Sequence, residues 1–397
     1  MTYAAFGEDG SLRRRAPSRR RSPARRISGR AVPAEGPPIA FYMIGAVVAV
    51  LTLLGLVMVL SASSVTSFHR GRSPWGYFTR QAMWAGLGAI ALVITMRVPY
   101  ERWRRWTTPI LFGAFGMMCL PFVPGLGMSV GGARAWVQLG PLGFQPSEFL
   151  KLAVLLYCAD LLTKRAHAVH VVRETLWPCL VVLGAAGIFL LAQSDLGSAV
   201  VLGTIVLATL FIAGTPIVPL GGVGAAMGSL TVVFVMSTAF RRQRWTAFLD
   251  LAKYRTNSGY QVWQSLIGIA DGGLTGVGMG ASKAKWGYLP LAHSDFIFAI
   301  IAEELGLVGV AAVLGAFLVL AFVGVQVALA AADRFGMLVA GGISAWIAVQ
   351  AIINIGGVTG TMPLTGLTLP FVSFGGSSLL ASMTAAGLLL NVARTAR

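Results

Sequence analysis

Ten apolar runs, each near the roughly 20 residues an α-helix needs to cross a hydrocarbon layer, recur along this chain and leave little room for another architecture. They lie near 39–61, 78–97, 108–124, 147–163, 175–192, 197–214, 217–238, 296–322, 337–356 and 371–391. Backbone in lipid must satisfy its own amides, so each run is expected as a helix. With 56% of residues hydrophobic and 11% charged, too little polar surface exists to cover a soluble globule of 397 residues. The expected fold is an all-α polytopic membrane protein over residues 39–393. It has about ten transmembrane helices and one large extracytoplasmic loop, 239–295, between the seventh and eighth.

The net charge of +17 resembles a nucleic-acid signature only until the charges are placed. Nine arginines lie from Arg13 to Arg30, in a Ser-, Pro- and Ala-rich segment without apolar periodicity, so residues 1–38 are expected as a disordered basic cytoplasmic tail. Ser18-Arg19-Arg20-Arg21 is no convincing twin-arginine signal, because the first apolar run begins about twenty residues later and no small-residue cleavage site follows it. Arg97, Arg102, Arg104 and Arg105, then Lys164, Arg165 and Arg173, then Arg334, then Arg394 and Arg397 mark the inner loops, which puts both termini in the cytoplasm. Asp160 is expected near the inner interface, where water would solvate it. Cys119, Cys158 and Cys179 all fall in apolar runs, which argues for packing rather than a disulfide framework or a zinc site.

The 239–295 loop opposes the orientation rule. It holds Arg241, Arg242, Arg244, Lys253, Arg255, Lys283 and Lys285 against Asp250, Asp271 and Asp295. Cations kept on that side suggest an anionic ligand such as a phosphate or pyrophosphate, with anionic headgroups as the alternative. Residues 241–251 alternate basic with apolar side chains, as an interfacial helix does. The run Gly272 to Gly280 is dense enough in glycine to bring backbone amides close to an anion, but it lacks the P-loop spacing. The loop ends in His293-Ser294-Asp295, where a carboxylate stands at the mouth of the eighth apolar run. A charge there is costly unless it has a function.

Other polar groups collect at helix ends on the same side. Arg134 lies in the loop before the fourth helix; Pro146 and Ser147 suit a helix start, and Glu148 in the first turn suits its dipole. Lys151 follows on the same face, either locked to Glu148 or free to hold a phosphate. Asp195 is expected at the boundary before the sixth helix, as a cap or a ligand-binding group. Ser377 ends a stretch of helix breakers and hydroxyls that irregular backbone at membrane depth tolerates only against protein or a wet cavity.

Five motifs together resemble the SEDS family (FtsW, RodA and SpoVE), and within it the FtsW branch most. They are Val59-Leu-Ser-Ala-Ser-Ser64, Gly131 to Lys151, Ser194-Asp195-Leu-Gly197, Tyr288-Leu-Pro through Glu304-Leu-Gly, and Leu369-Pro-Phe-Val-Ser-Phe-Gly-Gly-Ser-Ser378. The resemblance implies a ten-helix peptidoglycan glycosyltransferase of the bacterial plasma membrane. It would polymerise lipid II at the outer leaflet during division, with a class B penicillin-binding protein (an FtsI-like transpeptidase) and other division proteins as partners. It also implies Asp295 as the catalytic residue. Where the family often has Glu after Tyr-Leu-Pro, this chain has Leu291, which removes a carboxylate partner for Asp295 from that loop.

Transfer from an α-linked donor to a β-linked product inverts the anomeric carbon and needs one base and one means of stabilising the departing pyrophosphate. Asp295 is the candidate base. Arg134, Lys151, Lys283 and Lys285 are candidates for the pyrophosphate, with Glu148, Asp195, His293 and Ser377 as further substrate-binding candidates. A divalent cation, magnesium or manganese, would suit carboxylate and phosphate oxygens, though no sequence feature requires it. The alternatives are a lipid II flippase, which needs a polar track to the cytoplasmic side, and a noncatalytic division scaffold, which needs no Asp295.

Overall fold

The computed structural model describes residues 38–69, 73, 75–130, 132–140 and 142–396. The tail expected over 1–38 lies outside the described residues except for its last position. Twelve α-helices occur among them. They are α1 (Ile39–His69), α2 (Gly76–Arg97), α3 (Tyr100–Cys119), α4 (Pro146–Lys164), α5 (Leu176–Ala192), α6 (Leu196–Ile212), α7 (Ile217–Met236), α8 (Ala239–Leu249), α9 (Tyr260–Gly272), α10 (Ile297–Leu329), α11 (Arg334–Val358) and α12 (Gly376–Thr395). A helix occupies most of each apolar run, though the last run, expected from 371, becomes helical only at Gly376, and α8 and α9 lie within the 239–295 segment. Six of them (α1, α2, α7, α10, α11 and α12) are long and apolar enough, by length and composition, to cross a membrane.

The centre is built by α11 and α12, whose apolar windows are 72% and 89% buried, whereas α7 is only 6% buried and peripheral. Small residues let α12 approach α2 closely. A Cβ on Gly387 would lie 2.1 Å from Thr95 Oγ1 and 2.4 Å from the Leu92 carbonyl. Beside it, Asn391 Nδ2 donates to Thr95 O at 2.7 Å. α4 is internal as well, so Glu148, Lys151 and Asp160 meet protein. Asp160 corrects one expectation. It is 3% exposed and receives Arg104 Nε at 2.8 Å and Lys164 Nζ at 2.6 Å, so ion pairing rather than water satisfies it.

An all-α chain was expected, but between α3 and α4 the structure contains a three-stranded antiparallel sheet: β1 (Gly127–Val130), β2 (Ala133–Leu139) and β3 (Leu142–Phe144). Met128 pairs with Trp136 and Gln138 with Gly143. β2 alternates in the way one buried face requires, with Ala135 and Val137 inside and Arg134 and Gln138 outside.

α10 also departs from the uninterrupted helix expected over 296–322. It breaks at Gly306 (φ 63°, ψ −160°). The glycine-rich segment docks into the break: Val277 N donates to Glu303 O (2.9 Å) and Gly278 N to Glu304 O (3.1 Å), while Leu307 N returns a bond to Gly273 O (3.0 Å). Backbones meet so closely that a Cβ on Gly276 would lie 2.1 Å from Glu304 O. The glycines thus bring amides to helix carbonyls, not to an open anion site, and the break is satisfied from outside its own helix.

Candidate functional site

Asp295 sits two residues before the first residue of α10, on a loop whose backbone is held at three consecutive carbonyls. Phe374 N donates to His293 O at 3.0 Å, Ser373 Oγ to Ser294 O at 2.7 Å, and Asn354 Nδ2 to Asp295 O at 3.0 Å. Two of these donors lie on the strap 364–375 and the third on α11. The strap also forms the wall beside the carboxylate: a Cβ on Gly366 would lie 3.6 Å from Asp295 Oδ2, and its φ of +72° already favours glycine. Burial pushes the Asp295 carboxyl up to about 6, against the Ser294 hydroxyl and the Arg244 guanidinium, which both hold it down. Arg244, reaching from α8, is itself lowered by burial and raised by Asp295. It also lines a small cleft with Phe248, Gln261, Gly360 and Leu364.

A second layer joins the starts of α4, α6 and α12 to the strap and to α11. Asp195 caps α6 by accepting Ser198 N at 3.1 Å. Its other oxygen takes Gln145 Nε2 at 2.8 Å and Ser147 Oγ at 3.1 Å. Gln145 N donates to Ser377 Oγ at 3.1 Å, while neighbouring Ser378 accepts Thr368 Oγ1 at 2.8 Å. The Thr368 carbonyl receives Gln350 Nε2 at 3.0 Å, and Gln350 Oε1 takes Lys151 Nζ at 2.8 Å and Trp346 Nε1 at 2.8 Å. Glu148, Lys151, Asp195, Ser377 and Asp295 therefore border one hydrogen-bonded framework centred on the strap. The Arg134 backbone donates to the carbonyl of Gln193, two positions before Asp195, at 3.0 Å, while its side chain is exposed on β2.

The lysines divide by environment. Lys151 is 1% exposed, with Nζ 2.9 Å from both Glu148 oxygens, so of the two expectations for it the locked pair is what the structure contains. Lys285 is 4% exposed and bonds Glu304 Oε1 at 3.0 Å, Gly280 O at 2.6 Å and Ser61 Oγ at 3.2 Å. Neither ammonium group faces open space. Next to Glu304, Glu303 accepts Ser282 Oγ at 2.5 Å and Lys283 N at 2.6 Å, clasping the segment that carries both lysines. The Lys283 side chain is exposed. His293 is buried against Tyr77 and Phe374, with ring centroids 4.5 and 5.5 Å away.

Gln350 and Asn354 escaped the sequence reading, as did the pairing of Arg244, there one cation among seven in the loop, with Asp295. The signal for the two amides was their spacing of four on an apolar helix, which puts both on one face. Among the described residues, no group of three or more His, Cys, Asp or Glu side chains converges as a metal site.

A family model described as a cell cycle protein (FtsW, RodA, SpoVE) matches residues 41–397. The chain is 41% identical over 343 residues to the probable peptidoglycan glycosyltransferase FtsW of Geobacter metallireducens, covering 86% of this chain and 91% of that one. It is 40% identical to stage V sporulation protein E of Bacillus subtilis, covering 87% and 95%. A chain from a solved peptidoglycan synthase complex that coordinates polymerization and crosslinking superposes with a TM-score of 0.73 at 31% identity, covering 89% and 97%. The rod shape determining protein RodA of Thermus thermophilus superposes with a TM-score of 0.66 at 29% identity, covering 91% and 97%.

Proposed function

The chain belongs to the FtsW/RodA/SpoVE family, and on that premise we propose that it is a multi-pass peptidoglycan glycosyltransferase that polymerises lipid II at the outer leaflet of the plasma membrane. The observation that carries the reading is the placement of Asp295: a single carboxyl raised to about 6, on a loop whose backbone is held at three consecutive carbonyls, and faced by one guanidinium. A base poised just below neutral pH and a cation beside it are what an inverting transfer to a sugar hydroxyl requires.

In this mechanism the 4-hydroxyl of the acceptor sugar attacks the anomeric carbon of the lipid-linked donor and gives its proton to Asp295. The bond to the pyrophosphate oxygen breaks, and the lipid pyrophosphate leaves with the electron pair. Arg244 is best placed to meet charge near Asp295, and the exposed Lys283 and Arg134 supply cations farther out. Lys151 and Lys285, enclosed with Glu148 and Glu304, hold the scaffold instead of the phosphate. Asp195, Ser377 and the Tyr77–His293–Phe374 cluster shape the walls.

All ten long helices are proposed to span the membrane, the shorter and charged α3 to α6 being shielded in part by their neighbours. Both termini face the cytoplasm, 239–295 faces outward, and a class B penicillin-binding protein is the division partner. Purified protein supplied with that partner and lipid II should yield glycan strands. Translocation of lipid II without polymer would favour a flippase, and neither activity would favour a scaffold.

A further inference from the structure

Asn354 and Gln350 lie one turn apart on α11, both buried, and both aim their amides at the strap beside Asp295. Each of the two N–H bonds of Asn354 has a carbonyl: Asp295 O at 3.0 Å and Leu367 O at 2.6 Å. Leu367 directly follows Gly366, the residue against which Asp295 Oδ2 lies. One side chain therefore fixes the backbone that bears the carboxylate and the wall that faces it. Gln350, held by Lys151 and Trp346, fixes the next carbonyl of the strap, that of Thr368.

We propose that Asn354 is a positioning residue for the transfer reaction, setting the distance between the Asp295 carboxylate and the 366–367 wall, with Gln350 bracing the same strap from the Glu148–Lys151 pair. The inference rests on Asp295 being the base. An unbonded carbonyl in this buried place is costly, so losing the amide would release both segments together rather than leave them where they are. Water would then reach the carboxylate. The charged group facing it is Arg244 on α8, while the strap 364–375 and the Trp346–Gln350–Asn354 face of α11 carry no ionisable side chain.

The test is the pH dependence of kcat and KM for glycan polymerisation by full-length protein with its partner synthase and lipid II, comparing wild type with Asn354→Leu and Asn354→Gln. Asn354→Leu keeps the branched shape of the side chain and loses both donors. It should lower kcat about a hundredfold, the scale of an ångström-sized misplacement, with KM changed less than about threefold, and should move the acid limb of kcat to lower pH. Asn354→Gln, which retains donors, should recover part of kcat and keep the limb in place. A structural defect alone would lower the amount of active protein without moving the limb, so an unmoved limb in Asn354→Leu overturns the proposal. If Asn354→Leu does not accumulate, Asn354→Ser, with one donor, is read on the same criterion. Asp295→Asn is assayed in parallel. Polymer from that variant removes the base assignment, whereas an inactive Asp295→Asn beside a wild-type limb in Asn354→Leu removes the positioning role alone.

Discussion

Lys151 on α4 places its ammonium group 2.8 Å from Gln350 Oε1 on α11 and 2.9 Å from Glu148, so a charge pair one turn into an internal helix is closed by an amide from another helix. Breaking it from one side leaves a buried charge without a partner. Lys151→Met should cost about 3–5 kcal/mol, and adding Glu148→Gln should restore much of the loss. Thermal unfolding of the purified variants in detergent checks this; a single variant as stable as wild type would mean the pair is not enclosed.

Gly306 makes a second sharp case. A side chain there would be strained at φ +63°, and its Cβ would lie 2.3 Å from the Gly276 amide nitrogen. Gly306→Ala should therefore undock the 273–280 segment and cost more than about 1 kcal/mol. Hydrogen exchange at Val277 and Gly278 should rise, while unchanged protection would refute the docked arrangement.

Lys283 and Lys285, two residues apart, should behave differently. Lys285→Met leaves Glu304 with its serine alone and should lower stability. Lys283→Ala should leave stability within about 0.5 kcal/mol but raise KM, and that rise should shrink in high salt because exposed charges are screened. A salt-independent KM would reduce Lys283 to a surface residue.

Arg244 and Asp295 set a pH prediction. The carboxyl must be ionised to accept a proton, so kcat should rise with pH through about 6. Arg244 holds that value down, hence Arg244→Gln should move the acid limb to higher pH as well as lower the rate. A limb that stays in place in pH-dependent turnover would separate the two groups.

Much of the site's address was legible in the sequence. Asp295 at the mouth of a helix, Pro146 opening α4, Asp195 capping α6 and a helix expected over 241–251 and found over 239–249 all follow from local patterns that read one element at a time. What stayed hidden depends on partners distant in the chain. Nothing local says that Arg244 turns toward Asp295, that Gln350 reaches Lys151 across 199 positions, or that Gly273 to Gly278 fill a break 30 residues later in α10. The sheet was missed because its three strands are short and only β2 is long enough to display an alternation.

The most direct test of the central claim is glycan synthesis by Asp295→Asn, purified with a class B penicillin-binding protein and supplied with lipid II. In the folded protein the carboxyl's pKa lies above its ordinary 3.8, at about 6, so its proton is held more tightly folded than unfolded and stability is lost as pH rises through that window. The neutral amide removes this term, and the variant should be at least as stable as wild type at pH 8 and should still bind the partner. The account predicts a folded, partner-bound protein that makes no polymer; strands formed at the wild-type rate would contradict it.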